Sequence, residues 1–201
     1  MDTLDHIKAM AQDGNPEAQF KLGQHYDNGI GAPQDFDEAM RWYRAAAEQG
    51  VVEAHYNIGV LYDHGRGVEQ DYSEAMRWYQ WAADKGDPWA MNNIGFMYSQ
   101  GRGVEQNDET SLDWYRKAAE GGHFGARFNL GVRHVYGRGV EQDFPVAHMW
   151  FSISQQRCTP VENERAKKVK ESIEETMTPA ELERARMLYQ SWESDRDAPS
   201  N

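Results

Sequence analysis

The chain has 201 residues, 39% apolar and 27% charged, a composition that suits a soluble helical protein with enough residues for one elongated domain. Its 33 acidic residues outnumber 21 basic ones, for a formal net charge of −12, which argues against DNA or RNA as a partner because phosphate binding needs concentrated lysine and arginine; a basic or mixed-charge protein is easier to accommodate. No stretch is apolar for long enough to span a bilayer, and residues 1–8 have neither the basic start nor the apolar run of a secretory signal, so a cytoplasmic location away from membranes is expected.

Asp2 to Asp13 is expected to form a lone helix capping the N-terminal end (residues 1–16), since Ala9, Ala11 and Gly14 stand in register with Ala45, Ala47 and Gly50 further along. From there the chain repeats itself. Trp42-Tyr43 returns as Trp78-Tyr79, as Trp114-Tyr115 and, degenerate, as Trp150-Phe151, at a constant step of 36 residues. Four units align without a gap, at 17–52, 53–88, 89–124 and 125–160. In the second, Ala54, Ile58, Gly59 and Tyr62 fall on one side of a helix, with the glycine allowing a neighbouring helix to come close. A loop follows, Gly65-Arg-Gly67-Val in this unit, whose glycines supply the positive φ that ends a helix and turns the chain. Asp35, Asp71, Asn107 and Asp143 then stand where an N-cap belongs, with Glu38 and Glu74 placed to complete a capping box. The second helix carries Ala75, Trp78, Tyr79 and Ala82 as its buried stripe and closes at Gly86; truncating Trp78 to alanine is expected to cost about 3–5 kcal/mol. Units that cannot bury their apolar faces alone must stack, so the fold class is an all-α solenoid of helical hairpins.

After the fourth unit the pattern dissolves. Cys158 takes the place of the closing glycines, alone and unable to form an internal disulfide, as a small buried or half-buried side chain. Residues 161–193 are expected to form two capping helices, the second launched by Thr178-Pro179, with Val169, Ile173, Leu182 and Leu188 against the fourth unit. Ser194 to Asn201 reads as a frayed polar tail. A properly capped array should be a monomer.

These positions resemble the Sel1-like repeat, a tetratricopeptide-like hairpin with the pattern A-x-x-x-L-G-x-x-Y, G-x-G-V, A-x-x-W-Y-x-x-A-A-x-x-G, over most of residues 14–160. The resemblance implies a right-handed superhelix with first helices lining a concave face and second helices on the convex face, used to bind other proteins rather than to catalyse. It also implies that some secreted members staple each hairpin with a disulfide, which the lone Cys158 does not allow here. In related superhelices an asparagine before the Leu-Gly pair clamps an extended peptide, a role that passes by position to Asn57, Asn93 and Asn129, about 10 Å apart at ordinary helix spacing; Lys21 breaks the ladder. An asparagine there could equally satisfy hydrogen bonds within the protein. A neighbouring ladder holds Phe20, Tyr56, Asn92 and Phe128, and Trp89, Phe96 and Tyr136 add apolar surface as anchors or as packing between repeats. Arg66, Arg102 and Arg138 recur in the loops, where pairing with Glu69, Glu105 and Glu141 is expected.

The chain contains no Gly-x-Ser-x-Gly, Ser-x-x-Lys, His-Glu-x-x-His or Cys-x-x-Cys sequence, and its seven histidines make no i, i+4 pair. His55, His64, His134 and His148 are expected to be surface or satisfied side chains. No catalytic residue, metal or cofactor is predicted. The reading is a non-enzymatic adaptor binding a peptide or protein on the concave face. Alternatives are an immunity protein or secreted effector using that surface and, in another class, a hydrolase of the β-lactamase kind, which none of these residues supports.

Overall fold

The stop and start signals in the sequence set a regular helical rhythm in the computed structural model, which describes residues 3–156 and 158–197. Among these there are eleven helices and no strand. They are α1 (Leu4–Gln12), α2 (Pro16–Asn28), α3 (Phe36–Glu48), α4 (Val52–His64), α5 (Tyr72–Asp84), α6 (Pro88–Gln100), α7 (Asp108–Glu120), α8 (Phe124–Tyr136), α9 (Phe144–Ser154), α10 (Pro160–Glu174) and α11 (Pro179–Asp197). This is an all-helical array of the αα-superhelix class. The chain divides into two compact units, Met1–Gln106 and Asn107–Asn201. The division falls inside the third repeat, so α6 belongs to the first unit and α7 to the second.

Each second helix begins at a side-chain cap. The Asp35 carboxylate accepts from Glu38 N–H at 3.0 Å, and Asp71, Asn107 and Asp143 cap α5, α7 and α9 in the same way. The reciprocal half of the expected capping boxes does not form at α3 or α5. The Asp35 N–H already donates to the Tyr26 carbonyl at 2.9 Å, and the Asp71 N–H to that of Tyr62 at 3.1 Å. Glu38 is therefore released to accept from Arg41 and from the Trp42 indole, and Glu74 to pair with Arg77. True capping boxes occur where no preceding helix supplies a carbonyl, at Thr159 with Glu162 and at Thr178 with Glu181.

Two glycines show why a hairpin closes and why hairpins stack. At Gly59 a β-carbon would lie 2.7 Å from the Tyr79 ring, so α4 and α5 approach only because that position has no side chain. Gly67, at φ +67°, would place one 2.7 Å from the β-carbon of Phe36, at the start of the preceding hairpin's second helix. Gly103 makes the same close approach to Tyr72.

In the first unit α1 covers the exposed side of the first hairpin. Its Ile7 and Ala11 pack with Ala18, Leu22 and Trp42. A second cluster joins Tyr43 and Ala46 of α3 to Ala54, Ile58 and Leu61 of α4, carrying the core from one hairpin into the next. Trp78 is only half-buried, whereas Tyr79 is fully buried. The large truncation cost expected of Trp78 thus belongs to Tyr79, roughly 3–5 kcal/mol for a buried aromatic.

In the second unit α7 packs on α8, α8 on α9, and both α10 and α11 on α9. Ile173, Met177 and Ala185 join Ala147 and Phe151, with Val169 and Leu182 half-buried against them. Leu188 is half-buried, and α11 continues through Asp197, so the residues from Ser194 to Asp197 are helical rather than a frayed tail; residues 198–201 lie outside the described residues. Cys158 is half-buried, and its thiol donates to the Gln155 carbonyl at 3.3 Å.

Candidate functional site

A helix exposes residues at i, i+4, i+7 and i+11 on one side when the opposite stripe is buried. On α6 that stripe is the exposed Trp89, Phe96 and Gln100 with the half-buried Asn93, opposite the buried Ala90, Ile94 and Met97. Trp89 is 47% and Phe96 38% exposed, large apolar surfaces on a helix whose core face is already complete. The same stripe on α4 is Glu53, Asn57, Val60 and His64, and on α2 Glu17, Lys21, Gln24 and Asn28. It therefore runs from charged and polar on α2 to aromatic on α6. In the second unit, α8 presents Gly125, Asn129, Val132 and Tyr136 there, with Tyr136 67% exposed.

The asparagines have work inside the protein. Asn57 hydrogen-bonds to Tyr43, whose hydroxyl donates to Asp27 at 3.1 Å. Asn93 hydrogen-bonds to Tyr56 and Tyr79 and accepts from the Asn92 amide at 3.3 Å. The Tyr79 hydroxyl donates in turn to Asp63 at 3.5 Å. Burial, then the facing carboxylate, pushes the Tyr43 and Tyr79 phenols above their ordinary range, so both remain protonated donors. In the fourth repeat the Asp–Tyr pair is replaced by Val135 and Phe151 together, the exchange that leaves no polar group stranded. Asn129 is half-buried on α8.

Phe20, Tyr56 and Phe128 turn onto aromatic rings of their own hairpins. Their centroids lie 5.8, 5.8 and 5.4 Å from those of Tyr43, Tyr79 and Phe151. The Arg165 guanidinium of α10 lies 4.5 Å over the Phe128 ring. All three rings are half-buried, which makes them packing residues with a limited open edge.

The loop arginines lie over aromatic rings, and Arg102 also pairs with the Asp63 carboxylate. Arg66 sits 5.8 Å over Phe36, Arg102 5.4 Å over Tyr72 and 5.0 Å over Phe96, and Arg138 5.5 Å over Tyr136. Among the described residues none pairs with Glu69, Glu105 or Glu141; the acid nearest Arg102 is Asp63, at 4.0 Å. An exposed ion pair gains little in water, while a guanidinium on an aromatic face keeps its solvation and covers apolar surface.

The histidines are placed by packing. His55 is buried, stacks 3.4 Å from Trp81 and donates from Nδ1 to the Val51 carbonyl. His64 is exposed and bonds its own helix, and half-buried His148 meets Glu174 at 2.6 Å. His134 is buried, and burial lowers its pKa. Among the described residues, no group of three or more histidine, cysteine, aspartate or glutamate side chains could hold a metal ion. No helix among them is long and apolar enough to cross a membrane.

Helical hairpins repeated at a fixed period define a helical-repeat scaffold. The Sel1 repeat model matches residues 16–51, 52–87, 90–123 and 125–154, and the chain belongs to the Sel1 repeat family, whose members are generally protein-interaction scaffolds. Two solved structures carry the same fold at substantial identity. A protective antigen present in uropathogenic Escherichia coli strains is 38% identical, with a TM-score of 0.74 over 81% of this chain and 35% of its own. A Sel1 repeat protein from Oxalobacter formigenes is 31% identical, with a TM-score of 0.72 over 78% of this chain and 64% of its own. The chain thus spans less than two thirds of the length of either. An immunity protein from Pseudomonas aeruginosa, at 19% identity and a TM-score of 0.56 over 90% of this chain and 73% of its own, shares the fold. No functionally curated protein matches the chain.

Proposed function

We propose that the chain is a non-catalytic adaptor that holds a protein or peptide partner on the exposed stripe of its first helices. The observation that carries this reading is the pair Trp89 and Phe96, exposed one above the other on α6. Large aromatics left open beside amides are the residue types from which interface anchors are built. The amides of Asn57 and Asn93 act as support beneath this surface, and in the second unit Asn129 and Tyr136 hold the equivalent positions on α8. With a formal net charge of −12, a basic or mixed-charge polypeptide is the favoured partner and nucleic acid is not. The reading takes the cytoplasm as the compartment and a monomer as the free state.

The test is affinity capture with wild type and a Trp89→Ala/Phe96→Ala variant of unchanged melting temperature. The expected result is a protein retained by wild type and lost by the variant; equal retention would remove α6 from the interface. The identity of the captured protein decides between a general adaptor and a toxin-neutralising role.

A further inference from the structure

Helix α8 carries a histidine at each end, and both are buried. His123 is its N-cap, 6% exposed, and His134 lies in its last turn, 8% exposed. The His123 Nδ1 accepts from the Ala126 N–H at 3.0 Å, so the lone pair on that nitrogen caps the helix. An imidazolium carries a proton on both nitrogens and can only donate, so charging this ring breaks the cap and sets two donors against each other. The His134 Nδ1 is buried with no hydrogen-bond partner among the described residues. Whichever nitrogen holds the proton in the neutral ring, the imidazolium has a donor there that nothing accepts, on a charge that water does not reach.

The charged groups around the two rings do not offset this. Glu162, in the first turn of α10, faces His123, where Arg127 of α8 opposes it. Asp143 of the α9 N-cap faces His134, but Arg184 of α11 already clamps it at 2.8 and 3.3 Å, and Arg116 of α7 repels a second positive charge. Glu141 and Glu181 line the same cleft as His134. Burial outweighs these carboxylates at both rings and holds each pKa below the ordinary 6.5.

The first unit treats its histidines differently. Nδ1 of His25, His55 and His64 lies 2.7, 3.0 and 3.0 Å from the carbonyls of Ile30, Val51 and Val60. A carbonyl only accepts, so these nitrogens already donate and keep their bonds when the ring is charged. Burial lowers the pKa of His55 as well, but with no hydrogen bond of the fold at stake. In the second unit His148 also has an unpartnered Nδ1, but Glu174 at 2.6 Å holds its charged form.

We propose that α8 is an acid-released helix: protonation of His123 and His134 frees both of its ends, so that the second unit loosens at mildly acid pH while the first stays folded. Because α8 packs on both α7 and α9, its release uncovers Tyr115, under the Arg133 guanidinium, and Phe151, against Gly131. A histidine whose pKa is lower folded than unfolded stabilises the fold fully above the unfolded value and loses that contribution as the pH falls.

The experiment is amide hydrogen exchange of the full chain, read by mass spectrometry at about pH 6.5 and about pH 5 and corrected for the intrinsic pH dependence of exchange. Protection across α7, α8 and α9 should fall about tenfold from His123 alone, given a folded pKa of about 4 against 6.5 unfolded, and further with His134. Protection in α3, α4 and α5 should fall less. His123→Asn keeps a capping oxygen, as Asn15 does for α2, and His134→Tyr restores the residue of the other three repeats, Tyr26, Tyr62 and Tyr98. Each variant should retain more protection than wild type at the lower pH. Equal loss in the two units of wild type would overturn the proposal, as would a wild-type response in both variants. The comparison between units needs no substitution, so a variant that fails to fold leaves the test intact. It needs no partner either, so its outcome stands apart from the capture experiment.

Discussion

The hydroxyl of Tyr43 shows how one atom is decided by its neighbours. It is held between Asn57 and Asp27 in a buried setting, so Tyr43→Phe should destabilise the chain by about 1–3 kcal/mol by stranding both partners. Asp27→Val with Tyr43→Phe copies the Val135 and Phe151 pair of the fourth repeat, and the double variant should be more stable than the sum of the singles by about 1 kcal/mol. Additive urea midpoints would disprove the coupling. The repeat pattern made this tyrosine legible as core, but not its bond to Asp27, which lies 16 positions away on the partner helix. The same gap explains the loop arginines. Charge alone points them at nearby glutamates, whereas the fold brings Phe36 and Tyr72 within reach.

At the scale of the helix, boundaries were the most readable feature, because N-caps and αL glycines are local chemistry. Capping boxes at α3 and α5 failed as a reading for a non-local reason: the N-cap N–H is taken by a carbonyl of the preceding helix. Helix α8 has an unusual cap, with His123 Nδ1 accepting from Ala126 N–H at 3.0 Å. Only the unprotonated nitrogen can accept, and burial lowers the folded pKa from 6.5 to about 4. Between those values the unfolded chain binds the proton more readily, so this contribution is complete above about pH 6.5 and is lost as the pH falls towards 4. Its size is about 3 kcal/mol at most. His134 shifts in the same direction and for the same leading cause. His123→Asn, the cap that α2 already uses at Asn15, should lose less stability than wild type between pH 7 and 4.5. Parallel urea midpoints for the two proteins would contradict this. Close approach provides a second check on element packing. Gly67→Ala meets Phe36 as well as a positive φ, while Gly50→Ala meets only the φ, so the former should lower the melting temperature more; the φ strain alone costs about 1–2 kcal/mol.

For the whole molecule, the period of 36 residues carried the fold class and family, since a gapless repeat leaves few architectures open. The exposure of the proposed stripe was partly legible. Trp89, Phe96 and Tyr136 stand exposed as an anchor surface requires, while Phe20, Tyr56 and Phe128 turn onto Tyr43, Tyr79 and Phe151, rings that come close to the first helices because Gly23, Gly59 and Gly131 have no side chain. The central claim is that the first helices, not the second, hold the partner. It is tested most directly by titrating a captured partner against Trp89→Ala/Phe96→Ala and against Arg41→Ala/Arg77→Ala, the latter on exposed turns of α3 and α5. Loss of two aromatic anchors should weaken Kd by about tenfold or more, each anchor contributing over 1 kcal/mol, with the arginine pair nearly neutral. Strong weakening by the arginine pair, with the aromatic pair silent, would place the partner on the second helices and contradict the account.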